Sequence, residues 1–196
     1  MDSGLTLALS FLIGGIFLLT VINTQANIQK TATINSLEEN VHRKMDGLRE
    51  IIKTDLEKIG YNIDLDEVSQ PMVLKKRFGS QHNNYIKFYL DVKSVHGDDA
   101  DNDLDSIAIW SGPTGEMAHT ENDSDRYVYR KVNENDSLKI GSGVTYFEIE
   151  ALDRTGLVNG EDMVAISLEV ETPYPYEDQF FSAIWKGRIC PKNLRK

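Results

Sequence analysis

The side chains best suited to hold an ion lie between Gly97 and Asp105, where the sequence reads GDDADNDLD. Asp99, Asp101, Asp103 and Asp105 alternate along this run. Alternate carboxylates in a loop suit calcium, a hard ion that takes many oxygen ligands. The central glycine and the closing glutamate of a helix-loop-helix calcium loop are absent in register. The simpler reading is a solvated hairpin loop whose like charges keep it open. Glu121 to Asp125 (ENDSD) would add ligands only if the two loops were adjacent. His42, His82, His96 and His119 are scattered, without the spacing that zinc or iron requires. There is no G-x-S-x-G and no glycine-rich phosphate loop. A catalytic site needs a constellation of groups, so the expectation is no enzyme, no metal and no cofactor. Cys190 is the single cysteine and cannot form an internal disulfide. It is expected to be a buried or half-buried small side chain.

The overall charge narrows the partners. The chain carries 31 acidic and 21 basic residues, a formal charge of −10. A phosphate backbone needs a basic surface, so direct nucleic-acid binding is not expected.

The first elements are the most informative. Leu5 to Ile22 reads LTLALSFLIGGIFLLTVI and holds no charge. Its length is at the lower end of what crosses a bilayer core. Asp2 is the only charge before it, and no small-x-small cleavage site follows, so it does not read as an ordinary secretory signal. Gly14-Gly15 sits mid-segment, where small residues allow helices to approach closely. Asn23, Thr24, Gln25, Asn27 and Gln29 form a polar collar that marks the bilayer edge. Ile34, Leu37, Val41, Met45, Leu48, Ile52, Leu56 and Ile59 then recur every three or four residues. That spacing predicts one apolar stripe on a helix, with Gly60 as its C-cap. Leu48, Ile52, Leu56 and Ile59 are the residues expected to pack on a sheet. From Leu5 to Ile59 the helix would be about 80 Å long.

The rest reads as strands. Alternation predicts them at Tyr85–Val95, Ser106–Trp110, Arg126–Val132, Val144–Leu152, Met163–Glu171 and Phe180–Ile189. Gly112 to Gly115, Asn133 to Asp136, Gly141 to Gly143 and Asn159-Gly160 read as turns. Strands with one buried face need a cover, and the helix is the only long element available. The expected fold is α+β: a long N-terminal membrane-spanning helix packed on an antiparallel sheet domain. The expected division is 1–4 as a short leader, 5–22 as the membrane helix, 23–60 as its amphipathic continuation, and 61–196 as the β-rich domain.

Three stretches, in this order behind an apolar helix, carry a resemblance. They are Asp55–Ile63 (DLEKIGYNI), Val144–Gly156 (VTYFEIEALDRTG) preceded by Tyr127-Val128-Tyr129-Arg130, and Ile189–Leu194 (ICPKNL). The chain resembles the minor pilins of bacterial type IV pili, of the PilW-like branch, and the minor pseudopilins of type II secretion. The resemblance implies a pilin-like fold and a structural role in a filament for adhesion, motility, secretion or DNA uptake. It aligns Gly4-Leu5 with the prepilin processing site. That implies a prepilin peptidase as partner, cleavage after Gly4 and methylation of the freed Leu5 amine. Leu9 stands where the family carries glutamate. The carboxylate that would meet a neighbour's amine in hydrocarbon is therefore missing. The expected partners are other pilin or pseudopilin subunits, with inner-membrane lipid before assembly. The expected location is the inner membrane with an extracytoplasmic domain, or a filament at the cell surface or in the periplasm. The alternative is a single-pass anchored binding module of the same fold that does not polymerise.

Overall fold

The computed structural model describes residues 2–61, 63, 71–90, 105–153, 162–191 and 193. The chain forms two compact units, Met1–Glu39 and Asn40–Lys196. A helix, α1 (Asp2–Leu56), supplies the first unit and the start of the second. No proline interrupts it, and Gly4, Gly14, Gly15 and Gly47 are its only glycines.

In the second unit seven strands follow: β1 (Met72–Lys75), β2 (Tyr85–Leu90), β3 (Asp105–Ser111), β4 (Arg126–Val132), β5 (Leu138–Leu152), β6 (Met163–Glu171) and β7 (Ser182–Ile189). They form one antiparallel sheet in sequence order. The layout is α+β and pilin-like, one long apolar N-terminal helix with an antiparallel sheet.

The alternation along the strands decides which face is buried. Ile86, Phe88 and Leu90 of β2 point inward, as do Ile107 and Ile109 of β3 and Val164, Ile166, Leu168 and Val170 of β6. Val41, Met45, Leu48, Ile52, Leu56 and Ile59 join them in one core. The helical stripe therefore covers the sheet from Val41 onward, whereas Ile28 is exposed. Gly141 shows how tightly the two layers meet. A Cβ there would lie 2.8 Å from Cδ2 of Leu48, inside any real carbon contact. The sheet also curls: the amide of Ile149 in β5 donates to the carbonyl of Asn83 just before β2, at 2.8 Å.

Several expectations are corrected. Gly141 to Gly143 is not a turn but part of β5, which is longer than the expected strand. The glycines serve a bulge there. Gly143 has φ +74°, a Cβ on it would meet the Glu171 carbonyl at 2.8 Å, and the pairing with β6 slips between Val144 and Tyr146. The α-helix ends at Leu56, before Ile59. Bonds from the amides of Lys58 to Asp55 and of Ile59 to Leu56 tighten the chain beyond it. Gly60 does adopt φ +70°, but its amide donates to the Tyr89 carbonyl of β2 instead of capping the helix. Strand β1 was not anticipated. Residues 91–104 and 154–161 lie outside the described residues. With them go most of the acidic run, the end of the first expected strand and the Asn159-Gly160 turn.

A candidate assembly surface

Unit Met1–Glu39 is a helix with its apolar side chains uncovered. Leu5, Phe11, Ile13, Phe17 and Leu19 are each more than 60 % exposed. Between Asp2 and Lys30 there is no charged side chain. This is a helix long and apolar enough to cross a membrane. Three hydroxyls of this span turn back onto the helix. Ser10 donates to the Thr6 carbonyl at 2.9 Å, Thr20 to Ile16 at 2.9 Å and Thr24 to Thr20 at 2.8 Å. Added Cβ atoms at Gly4, Gly14 and Gly15 would meet nothing within 4 Å. Both mid-segment glycines are thus open to a neighbour.

In unit Asn40–Lys196, Leu48, Ile52, Leu56 and Ile59 are all fully buried in the core. Beside them lies a pair that the sequence did not reveal. Asp55, in the last turn of α1, is 4 % exposed and accepts two bonds from Arg130 of β4, from Nε at 2.6 Å and Nη2 at 3.0 Å. The fork geometry is that of a bidentate guanidinium–carboxylate pair. The Asp55 hydrogen bond raises the Arg130 guanidinium above its usual value, against the opposing effect of burial. The pair also sets a cation near the negative end of the helix dipole.

The connection between β3 and β4 holds a less satisfied group. Asp125 is 1 % exposed, and neither carboxylate oxygen has a hydrogen-bond partner of good geometry. Burial raises its pKa, the Thr120 hydroxyl works the other way, and nearby Asp123 adds to the rise. A raised folded-state value favours the protonated form. The charged form therefore costs stability as pH climbs through that value. Asp125→Asn is expected to raise the melting temperature at pH 7. The gain should shrink as pH falls from 7 into the ordinary carboxylate range, because the native carboxyl takes up its proton before a free one does. Thermal melts of both proteins across that range check it, and a gain that does not change with pH would contradict it.

The remaining chemistry-bearing residues do not converge. Among the described residues, no three of the His, Cys, Asp and Glu side chains are placed to hold a metal ion. His82 instead pairs with Glu148 at 2.7 Å, and His119 sits in a turn at φ 72°. Asp99, Asp101 and Asp103 lie outside the described residues. Asp105 opens β3 and accepts from Asn133 Nδ2 at 2.6 Å. Cys190 is exposed, not buried, because it falls just past the end of β7.

No protein-family model, no curated protein and no solved structure matches this chain. The class rests on the layout itself, an uncovered apolar helix that runs on into the core of an antiparallel sheet domain.

Proposed function

We propose that the chain is a structural subunit of a type IV pilus-like or type II secretion-like filament, a minor pilin or pseudopilin. It acts by helix packing and domain docking, without catalysis. Before assembly its apolar helix crosses the inner membrane, with the sheet domain outside the cytoplasm. The observation that carries this reading is the continuity of α1. The same helix supplies the uncovered span from Leu5 to Ile22 and the buried stripe from Val41 to Leu56. An anchor alone needs no such fusion, whereas a filament built on bundled helices does. A second reading, an anchored binding module that stays single, is favoured by Leu9. Without a carboxylate there, the span has no charge to offer a neighbour's amine.

The membrane segment separates the two. Gly14→Leu with Gly15→Leu keeps the apolar character, so insertion should survive. Bulk at the open glycines should hold neighbouring helices apart. The variant is expected in the membrane fraction at normal level, with crosslinking to partner subunits about tenfold lower, the effect of about 1.4 kcal/mol in packing. Gly4→Ala is expected to keep Met1–Gly4 attached and to block incorporation, read by intact mass and by the same crosslinking. Unchanged crosslinking in the double-leucine variant would favour the solitary module.

A further inference from the structure

The outer face of the sheet carries a row that runs across five strands. Lys75 stands opposite Tyr85, Tyr85 opposite Trp110, Trp110 opposite Tyr129, and Tyr129 opposite Lys139. The rings lean on one another: Trp110 and Tyr129 stack with centroids 5.5 Å apart and planes at 16°, and Tyr85 lies 6.1 Å from Trp110. The Arg77 guanidinium lies 4.9 Å from the Tyr85 centroid and 5.4 Å from that of Trp110. Lys139 sits 3.7 Å over Tyr127. In the next row Lys87 and Lys131 flank Ala108.

Two described carboxylates near this face are engaged. Glu116 accepts from the Tyr129 hydroxyl, whose pKa burial and that bond push up to about 12. Glu134 pairs with Lys131 at 3.8 Å. Among the described residues the strip is locally cationic, on a chain of net charge −10.

Across the same sheet, β5 and β6 present the opposite sign. Glu150 and Glu169 have no ion pair among the described residues, and Glu148 and Glu171 lie beside them. Lys186 and Arg188 on β7 bound this strip on its far side.

We propose that the outer face of β1–β4 is a docking surface for a second copy of this chain, and that it receives that copy's β5–β6 glutamates. The proposal names the neighbour in the assembly suggested above and rests on that reading. Two arguments select the occupant. Trp110 and Tyr129 turn one face each to the other, and Arg77, Lys87 and Lys139 lie over Tyr85, Tyr89 and Tyr127, so cations occupy much of the ring surface that a sugar or base would use. The cations of this face are the groups left to meet a partner's carboxylates. Second, copies at −10 repel one another unless they meet where the local charge is reversed. The lysine row is such a place. The cationic strip lies on β1–β4 and the acidic strip on β5–β6, so the two patches that meet between copies are different ones. Contact between copies is then head to tail, the arrangement that propagates.

The test uses the full chain in lipid vesicles, as an equal mixture of light and nitrogen-15 copies. A carbodiimide joins a lysine amine to a carboxylate only where the two touch. Mixed-isotope peptides joining Lys87 or Lys131 to Glu150 or Glu169 are expected. Lys87→Glu with Lys131→Glu leaves the amines of Lys75 and Lys139 on the same face, and Glu150→Lys with Glu169→Lys leaves the carboxylates of Glu148 and Glu171. Mixed-isotope links through these remaining groups should each fall about tenfold. Mixing the two variants should restore them. If charge reversal unfolds the sheet, Lys87→Gln with Lys131→Gln keeps the side-chain stems, and the same fall should be read in the links through Lys75 and Lys139. Linkage confined to one isotope, or no restoration on mixing, overturns the proposal. So does saturable binding of polygalacturonate to this face without mixed linkage, which would assign it to an acidic glycan. Crosslinking through the Gly14-Gly15 segment is the independent readout. If it persists without mixed lysine–glutamate links, only the docking proposal fails; if it too is absent, the filament reading fails with it.

Discussion

Ile52→Asp should leave the unit Asn40–Lys196 unfolded at room temperature. Ile52 has no exposed surface and lies in the core shared by α1 and the sheet. The change removes an aliphatic side chain worth about 2–5 kcal/mol of packing. It also buries a carboxylate with no partner, which adds several kcal/mol more. A domain of this size holds about 5–15 kcal/mol in all. Leu48→Asp should act alike, since Gly141 leaves no slack around that side chain. Ile51, one residue away and 37 % exposed, supplies the control. Ile51→Asp should cost no more than about 1 kcal/mol. Thermal melts of the full chain in detergent, followed by circular dichroism, measure all three. Native-like melting of either core variant would show that the stripe is not what holds the sheet.

Arg130→Met should cost about 3–5 kcal/mol, because it strands Asp55 as a buried charge. Asp55→Leu with Arg130→Met should recover most of that loss, since two apolar side chains leave nothing uncompensated. Urea unfolding of the two single variants and the double variant closes the cycle. Additive losses in the double variant would mean that the two side chains do not act as a pair. The pair joins the last turn of the helix to β4, so its loss should loosen the helix end first.

The comparison of these residues with the bare sequence shows where pattern suffices. The membrane-length segment is legible from composition alone, because an uncharged apolar run of that length needs no register or partner to be recognised. The stripe from Val41 to Ile59 is legible because burial imposes the helical period. The strands show through alternation at Ile86, Phe88 and Leu90, or at Val164, Ile166 and Leu168. Failures came where one residue type serves two purposes. Gly141, Ser142 and Gly143 look like a turn, yet one glycine makes room for Leu48 and another bends a strand. Met72–Lys75 is too short to show a period. Asp55 and Arg130 both fall in recognisable segments, but 75 positions separate them, and nothing local says that they meet. The row from Lys75 to Lys139 takes one residue from each of five strands. It becomes visible only once register is known.

The strand order carries a consequence for how the chain is made. Each strand pairs with the one synthesised just before it. Contacts of that kind close early and cheaply, because little chain must be gathered to form them. The helix is the exception. Its stripe emerges first, yet Ile52 and Leu56 have no cover until Ile86 and Ile109 have been added. For that interval the nascent chain displays two apolar surfaces, one destined for its own sheet and one uncovered even in the finished chain. Keeping them apart is a matter of timing, and a delay in β2 or β3 would expose the wrong one to the wrong solvent.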